Sequence, residues 1–144
     1  MNTNPRPSTG RQIGYSVAIF FLIVFLIAIN NFQKWDLPVI STIITPAFEN
    51  WLPAVNLSLS VAIFSNFLFL IYDPRWFHHL MQAIQNAFSL YSTWVFYTIF
   101  PLNLPSPMFV TGLRWGLLIA MLLTIIAIIV ETVQAISSYS RENN

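Results

Sequence analysis

The chain contains no cysteine and few charged residues, and each shortage excludes a class of protein. Without cysteine, a disulfide framework, a thiolate metal site and a cysteine nucleophile are all excluded. Charged residues make up 8% of the 144 positions, whereas ordinary soluble domains carry roughly 25%. The formal net charge is only +1 and the basic residues are scattered, so the sequence predicts no nucleic-acid partner.

Apolar residues are abundant instead, at 56% of the chain, and the mean hydropathy is +0.67. Residues 13–29 contain no charge. As a helix rising about 1.5 Å per residue, this run nearly crosses a hydrocarbon core of about 30 Å. A cleaved signal peptide is the alternative, because Arg6 and Arg11 precede the run. The run exceeds a signal core of about 7–15 residues, however, and residues 30–32 offer no small-residue cleavage site. We therefore expect an integral membrane protein with a retained first helix.

The remaining sequence predicts three further spans. The four predicted spans cover about residues 13–31, 55–72, 76–100 and 111–137, between a disordered polar N-terminal tail, 1–12, and a polar C-terminal tail, 138–144. Asp73 and Pro74 end the second span, because the residue before a proline avoids the α region. The turn there is too short for anything but antiparallel neighbours. Pro101, Pro105 and Pro107 predict an extended, structureless connection before the last span.

Residues 36–52 differ from the spans. Asp36 can cap a helix, apolar residues then recur at spacings of three and four, and Pro46 predicts a bend. With Glu49 in it, this segment is a poor span, so we expect a short helix on the membrane surface. A re-entrant hairpin is the alternative for residues 36–53. The predicted fold class is therefore all-α: an integral membrane four-helix bundle with a short interfacial amphipathic helix between the first two spans.

The positions of the basic residues predict the orientation. With the N-terminus in the cytoplasm, four of them lie inside and two outside: Arg6, Arg11, Arg75 and Arg141 against Lys34 and Arg114. This distribution agrees with the positive-inside rule. Both termini are therefore expected to be cytoplasmic.

Polar and small residues recur along one side of several spans. The third span carries a polar stripe at spacings of four, three, four and four: Gln82, Asn86, Ser89, Thr93 and Tyr97. The fourth carries mostly small residues: Gly116, Ala120, Thr124, Ala127, Glu131 and Ala135. The second adds Ser58, Ala62, Ser65 and Asn66. We expect these faces to form one packed interior, in which the stripe supplies interhelical hydrogen bonds. The alternative is a stripe that lines a polar path or a ligand cleft.

Glu131 is the one carboxylate on a predicted span, and it lies about 25 Å along the helix axis from Arg114. It should therefore sit near the inner interface, at the level of Arg11, Arg75 and the two histidines. The favoured interpretation is an ion pair or hydrogen bond that locks the fourth helix to the turn between the second and third. A proton or cation site and simple contact with headgroup water are the alternatives. Asp73 and Glu131 are too far apart in the sequence to predict a pair.

His78 and His79 are adjacent and point about 100° apart on a helix. They predict an amphipathic pair at the interface; a metal, haem or chlorin ligand is the alternative and would need a symmetric dimer. No catalytic, cofactor or metal site is predicted, because no nucleophile elbow, phosphate loop or HExxH motif is present. The candidate polar interior or ion site comprises Glu131, Gln82, Asn86, Arg75, His79 and Asn66.

Two functions are consistent with these features. The first is a small non-enzymatic multi-pass membrane protein, a structural, accessory or assembly subunit whose partners are the lipid bilayer and other membrane-protein subunits or further copies of itself. The alternative is a small oligomeric transporter or channel, coupled to ions or protons through Glu131. No cofactor is expected for either function.

Overall fold

The computed structural model describes residues 6–34 and 42–142, and over these residues the predicted all-helical fold is confirmed. The helices are α1 (Thr9–Asn31), α2 (Phe48–Ile71), α3 (Arg75–Ile99) and α4 (Pro107–Glu142), and a turn of 3₁₀ helix follows α1 at Phe32–Lys34. No strand occurs in this part of the chain; an isolated antiparallel bridge joins Ile44 to Leu102.

Three of the helices, α1, α2 and α4, are long and apolar enough to cross a membrane. Their 23, 24 and 36 residues correspond to about 35, 36 and 54 Å, and a hydrocarbon core is about 30 Å thick. Most of their apolar side chains are exposed in the isolated chain, as expected where lipid is the surrounding solvent. These helices indicate a small integral membrane protein. With 25 residues α3 is about as long as α1 and α2, but the polar stripe lowers its hydropathy.

The helices are arranged in chain order. Among the described residues, extensive packing joins α1 to α2, α2 to α3 and α3 to α4. No comparable packing joins α1 to α4 there. The arrangement is therefore an open row with α1 and α4 at its edges. The buried apolar residues lie mainly where α2 and α3 meet their neighbours: Ile19, Phe48, Ala54, Val55, Phe69, Met81, Ala83, Met121 and Ala135.

Two helices are longer than the sequence predicted. Helix α1 begins at Thr9, so the end of the predicted 1–12 tail is helical. Helix α4 begins at Pro107 instead of about residue 111, because proline fits the first helical position and the Ser106 hydroxyl accepts the Met108 N–H at 3.3 Å. It continues to Glu142, through most of the predicted 138–144 tail. Residues 1–5 and 143–144 lie outside the described residues.

The structure tests only part of the predicted surface helix at 36–52, and there residues 42–43 are helical. Residues 48–52 are the first turns of α2, which begins at Phe48 rather than at about residue 55. Pro53 lies inside this helix; it lacks the N–H that would bond to the carbonyl of residue 49, but it does not end the helix. Residues 35–41 lie outside the described residues, so the rest of that prediction stays untested.

The connection after α3 is ordered, so the prediction of a structureless segment is wrong. Pro101 is fully buried, and its carbonyl accepts the Thr45 N–H at 3.1 Å. The Asn103 N–H donates to the Ile43 carbonyl at 2.7 Å. The prolines remove some backbone donors, but these two hydrogen bonds still pair the connection with the segment before α2. Backbone hydrogen bonds thus join two loop segments at this end of the row.

Phe100, the residue directly after α3, adopts a left-handed backbone conformation, with φ at 43°. A non-glycine residue in this region is strained by about 1–3 kcal/mol and persists only where its surroundings hold it. Here the Arg114 guanidinium lies over the Phe100 ring, 4.8 Å from its centroid. This cation–π contact links the end of α3 to the start of α4.

Side-chain hydrogen bonds join the helices at the same end. Asn30 of α1 and Asn56 of α2 form a reciprocal amide pair, with N···O distances of 2.7 and 2.8 Å. The Trp51 indole N–H of α2 points at Ser92 of α3, 3.0 Å from its carbonyl oxygen and 3.2 Å from its hydroxyl. Each contact satisfies polar groups that lipid could not.

The small-residue face predicted on α4 packs over only half its length. Ala135 is buried, and Thr124, Ala127 and Glu131 are half-buried. Gly116 and Ala120 are exposed, and a Cβ added at Gly116 would meet nothing within 4 Å. Close backbone approach at Gly116 was therefore a wrong expectation for the isolated chain. In the exposed half, α4 instead packs through the larger side chain of Met121.

The Asn30–Asn56 pair should stabilise the packing of α1 on α2. In a double-mutant cycle with Asn30→Ala and Asn56→Ala, we expect a coupling free energy of about 0.6 kcal/mol and at most about 1.7 kcal/mol, the average and the maximum measured for hydrogen bonds between membrane helices. Unfolding by a denaturing detergent in mixed micelles would measure it. A coupling free energy within error of zero would contradict a stabilising role for the pair.

Candidate functional site

The most polar cluster in the described structure surrounds Asp73, in the turn between α2 and α3. Its carboxylate is completely buried. One oxygen, Oδ2, accepts a hydrogen bond from the Tyr15 hydroxyl and lies against the Arg11 guanidinium, both at 2.8 Å. The other, Oδ1, is 3.0 Å from Nδ1 of His78. A buried carboxylate is costly unless it is paired and hydrogen-bonded; here all its partners come from α1 and α3.

The sequence of the turn explains why Asp73 lies there. Tyr72 ends α2 in an extended conformation, and Pro74 precedes the first residue of α3. The two helices reverse direction over this short turn, and the Asp73 side chain reaches His78 in the first turn of α3. Arg11 and Tyr15 are four residues apart, so they face it from the same side of α1.

Aromatic rings pack against one another beside the Asp73 carboxylate. Phe69, one turn before Asp73, is 1% exposed. Its ring stacks on the His78 imidazole with centroids 4.5 Å apart and lies 5.3 Å from the Tyr15 ring. The low polarity of this surrounding makes the Asp73 hydrogen bonds stronger and the loss of any partner more costly.

A second pair joins α3 to α4. Nδ1 of His79 lies 2.6 Å from Oε2 of Glu131, and both side chains are about a quarter exposed. An ionised carboxylate can only accept, so the imidazole nitrogen that faces it carries the proton. The same reasoning applies to His78 beside Asp73. Each histidine is therefore held in one orientation by a carboxylate.

The adjacent histidines connect the two pairs. Because they point in different directions on α3, His78 faces Asp73 and α1, whereas His79 faces Glu131 and α4. Their rings meet edge to face with centroids 6.2 Å apart. Between residues 6–34 and 42–142, no three His, Asp or Glu side chains are grouped so as to hold a metal ion. The arrangement ties α1, α3 and α4 together at one end of the row.

The structure brings together two of the six residues of the candidate site. His79 and Glu131 are in contact, as above, whereas the other four are separate. Arg75 is exposed, and Asn66 donates to the Ala62 carbonyl of its own helix at 2.8 Å. Gln82 and Asn86 are half-buried, and neither side-chain amide has a hydrogen bond within the part of the chain that the structure describes.

Sequence reasoning missed the buried half of the cluster. Asp73 was interpreted only as a helix stop, and Tyr15 was not considered as a hydrogen-bond donor. A signal was present: Asp73 is a charged residue between two apolar helices, so burial would oblige it to find partners. Gln85 was missed as well; its Nε2 is buried without a partner among the described residues, and its side of α3 was not singled out.

An apolar cleft of about 450 Å³ lies between α3 and α4. It is lined by Ala87, Leu90, Tyr91, Trp94, Leu118, Met121, Leu122 and Ile125. The hydroxyl of Tyr91 and the indole N–H of Trp94 are the only polar side-chain groups of these residues. The cleft can therefore accommodate an apolar group, but it presents few polar groups to a ligand.

Comparison with known proteins identifies no relative. No family model matches the chain, and neither a curated protein nor a solved structure is significantly similar to it. The function must therefore be argued from the residues themselves.

Removing the Asp73 carboxylate should destabilise the protein. In Asp73→Ala, Tyr15 and His78 lose a charged hydrogen-bond partner in a buried place, so we expect the free energy of unfolding to fall by about 1.5–3 kcal/mol. Arg11 adds little to this figure because it is half exposed and screened by water. Thermal unfolding in detergent, followed by circular dichroism, would measure the change.

The matched control is Glu142→Gln, which removes an exposed carboxylate at the end of α4 and should leave the unfolding transition unchanged. Equal stability of Asp73→Ala and this control would show that the Asp73 cluster does not hold the helices together.

Proposed function

We propose that this chain is a small, non-enzymatic multi-pass membrane protein that serves as a structural, accessory or assembly subunit for other membrane proteins. One observation carries the proposal: Asp73 and Glu131 both have partners on neighbouring helices. A carboxylate that holds two helices together is poorly suited to bind and release an ion or a proton in every cycle. The charges of this end thus serve the packing of the helices.

The proposal includes α3 as a fourth span. Helix α3 packs between α2 and α4, both of which are apolar enough to cross a bilayer. A helix of 25 residues measures about 38 Å, so α3 can reach both interfaces beside its neighbours. Four spans return the chain to the side on which it began.

The same reasoning proposes an orientation with both termini in the cytoplasm. Arg11 and Arg75 lie at the Asp73 end of the row, whereas Lys34 and Arg114 lie at the end that contains the Asn30–Asn56 pair and Phe100. The Trp76 and Tyr139 rings, 5.6 Å apart, lie at the Asp73 end. Basic residues favour the cytoplasmic side, and such aromatic residues favour an interface.

A reporter fused to the C-terminus tests this orientation. We expect a reporter that is active only in the cytoplasm to show activity, and one that is active only outside it to show none. The reason is that the positive-inside rule keeps the Asp73 end in the cytoplasm. The reverse pattern would overturn the orientation, and activity of a C-terminal reporter on the side opposite an N-terminal one would refute four spans.

The edges of the row offer the surface for a partner. Among the described residues, the extensive packing of α1 is against α2, and its contact with α3 is made at the Asp73 end, so much of its circumference is uncovered. Phe20, Phe21 and Phe25 are 61%, 63% and 51% exposed on it. Between membrane helices, association depends on side-chain packing because lipid is as apolar as the side chains. Large rigid rings provide extensive contact for such packing.

Replacing two of these rings should release a partner. From native membranes cross-linked before mild solubilisation, we expect the tagged chain to carry a second membrane protein, identified by mass spectrometry. In the double variant Phe21→Ala, Phe25→Ala, recovery of that protein should fall about tenfold, as for the loss of roughly 1.4 kcal/mol. The control is Phe64→Ala, Phe67→Ala, which removes two exposed rings from α2.

Two results would count against an accessory role. One is a chain that always migrates without any other membrane protein, whichever detergent is used. The other is ion or proton flux in vesicles reconstituted with the pure wild-type chain that is abolished by Glu131→Gln, since this would assign Glu131 a transport role.

A further inference from the structure

Polar residues on one side of α3 form a surface whose hydrogen-bonding groups the single chain does not satisfy. Four of them, Gln82, Asn86, Ser89 and Thr93, follow one another at spacings of four, three and four, and we name these four residues the amide seam. At about 100° per residue they lie within roughly 60° of one another on the helix. Ser89 is exposed, and Gln82 and Asn86 are half-buried.

The hydrogen bonding of the amide seam is incomplete. The Thr93 hydroxyl donates to the Ser89 carbonyl of its own helix at 2.9 Å. In the described residues, the side chains of Gln82, Asn86 and Ser89 form no hydrogen bond. If α3 crosses the bilayer, as the proposed function holds, these groups lie in a medium that cannot hydrogen-bond to them. Each unpaired amide then costs several kcal/mol, so a protein surface that pairs with them is strongly favoured.

Neither neighbouring helix provides that surface. Helix α2 occupies the side of α3 marked by Ser92, which accepts from Trp51. Helix α4 occupies the side marked by His79 and by Leu90, which lines the cleft with Met121. By helical geometry, Ser92 lies about 60° from Ser89 and Leu90 about 40° from Asn86, on opposite sides of the seam. At the Asp73 end the seam is flanked by His78 and His79, which contact α1 and α4. The seam is therefore a narrow face between α2 and α4.

We propose that the amide seam pairs with the amide seam of a second copy of this chain, around a two-fold axis parallel to the membrane normal. Spacings of four, three and four are those of helices that pack with knobs into holes. A carboxamide is both donor and acceptor, so it is complementary to itself. A two-fold axis brings each residue opposite its own copy at the same membrane depth.

Two observations favour a second copy over a different protein. The chain already uses the required contact, because Asn30 and Asn56 pair reciprocally between two of its helices. The seam also contains no charged residue, so identical seams do not repel each other. Arg75, the nearest cation on this side, begins α3 about 10 Å before Gln82, at the level of the headgroups.

Single cysteines test the pairing directly, because the native chain has none. Under mild oxidation in native membranes, Ser89→Cys should form a disulfide-linked dimer. The matched control is Ala87→Cys, an exposed small residue two positions earlier that faces the cleft instead. We expect at least about tenfold less dimer from the control. Adding Asn86→Leu to Ser89→Cys should reduce the dimer by about tenfold, for a loss of roughly 1.4 kcal/mol.

Equal dimer from both cysteines, or none from Ser89→Cys, would overturn the pairing. So would a Ser89→Cys product that contains only a different protein. The comparison of the two cysteines keeps its meaning even if Asn86→Leu unfolds, since both variants retain Asn86. If Ser89→Cys gives no dimer but a partner is still recovered through α1, self-pairing is refuted and the accessory role remains intact. If Ser89→Cys gives the dimer but no partner is recovered, the accessory role alone is refuted.

Discussion

A buried carboxylate in a chain that is otherwise almost uncharged constrains where three of the four helices can lie. Asp73 is excluded from water at the turn between α2 and α3, so it depends on Tyr15 and His78. These partners stand on different helices, and each must hold its position for the charge to be tolerated. The neighbouring His79 then extends the same ordering to α4 through Glu131. The packing of α1, α3 and α4 at this end thus depends on two carboxylates, Asp73 and Glu131.

The opposite end is held by neutral groups. Amide pairing between Asn30 and Asn56, the indole of Trp51 and the backbone pairing around Pro101 connect neighbouring segments there. The two ends therefore respond differently to their surroundings: ionic strength should weaken the charged end more than the neutral one. Between them the helices pack through apolar and small side chains, and most of their outer surface is apolar.

The elements that depended on local patterns could be predicted from the sequence, and those that depended on contacts between distant residues could not. Long uncharged runs predicted the helices, and Asp73–Pro74 predicted the turn. The ends of the helices were less accurate. The second span was expected to begin at about residue 55, although Pro53 already lies inside a helix, and Pro107 was assigned to an extended connection, although it begins a helix. The level shared by Glu131 and the histidines followed from counting residues along the helices.

The partners of Asp73 could not be derived in the same way. Tyr15 lies 58 positions away, and no periodicity links it to the turn. The four-helix bundle was likewise predicted without knowing which helices are in contact, since nothing in the apolar pattern states whether the first and last helices touch. The open row follows from which faces actually pack, and that depends on side-chain shape across the whole chain.

The length of α4 has a mechanical consequence. Its 36 residues extend about 54 Å, but the stretch from Arg114 to Glu131 measures only about 25 Å, slightly less than a hydrocarbon core. A spanning α4 would therefore emerge at both surfaces, with a charged residue marking each exit. A shift of the helix along the membrane normal would move one of these charges deeper into the hydrocarbon core, so the depth of the helix in the membrane is fixed. A thicker bilayer would then be met by local thinning or by snorkelling of the flanking side chains.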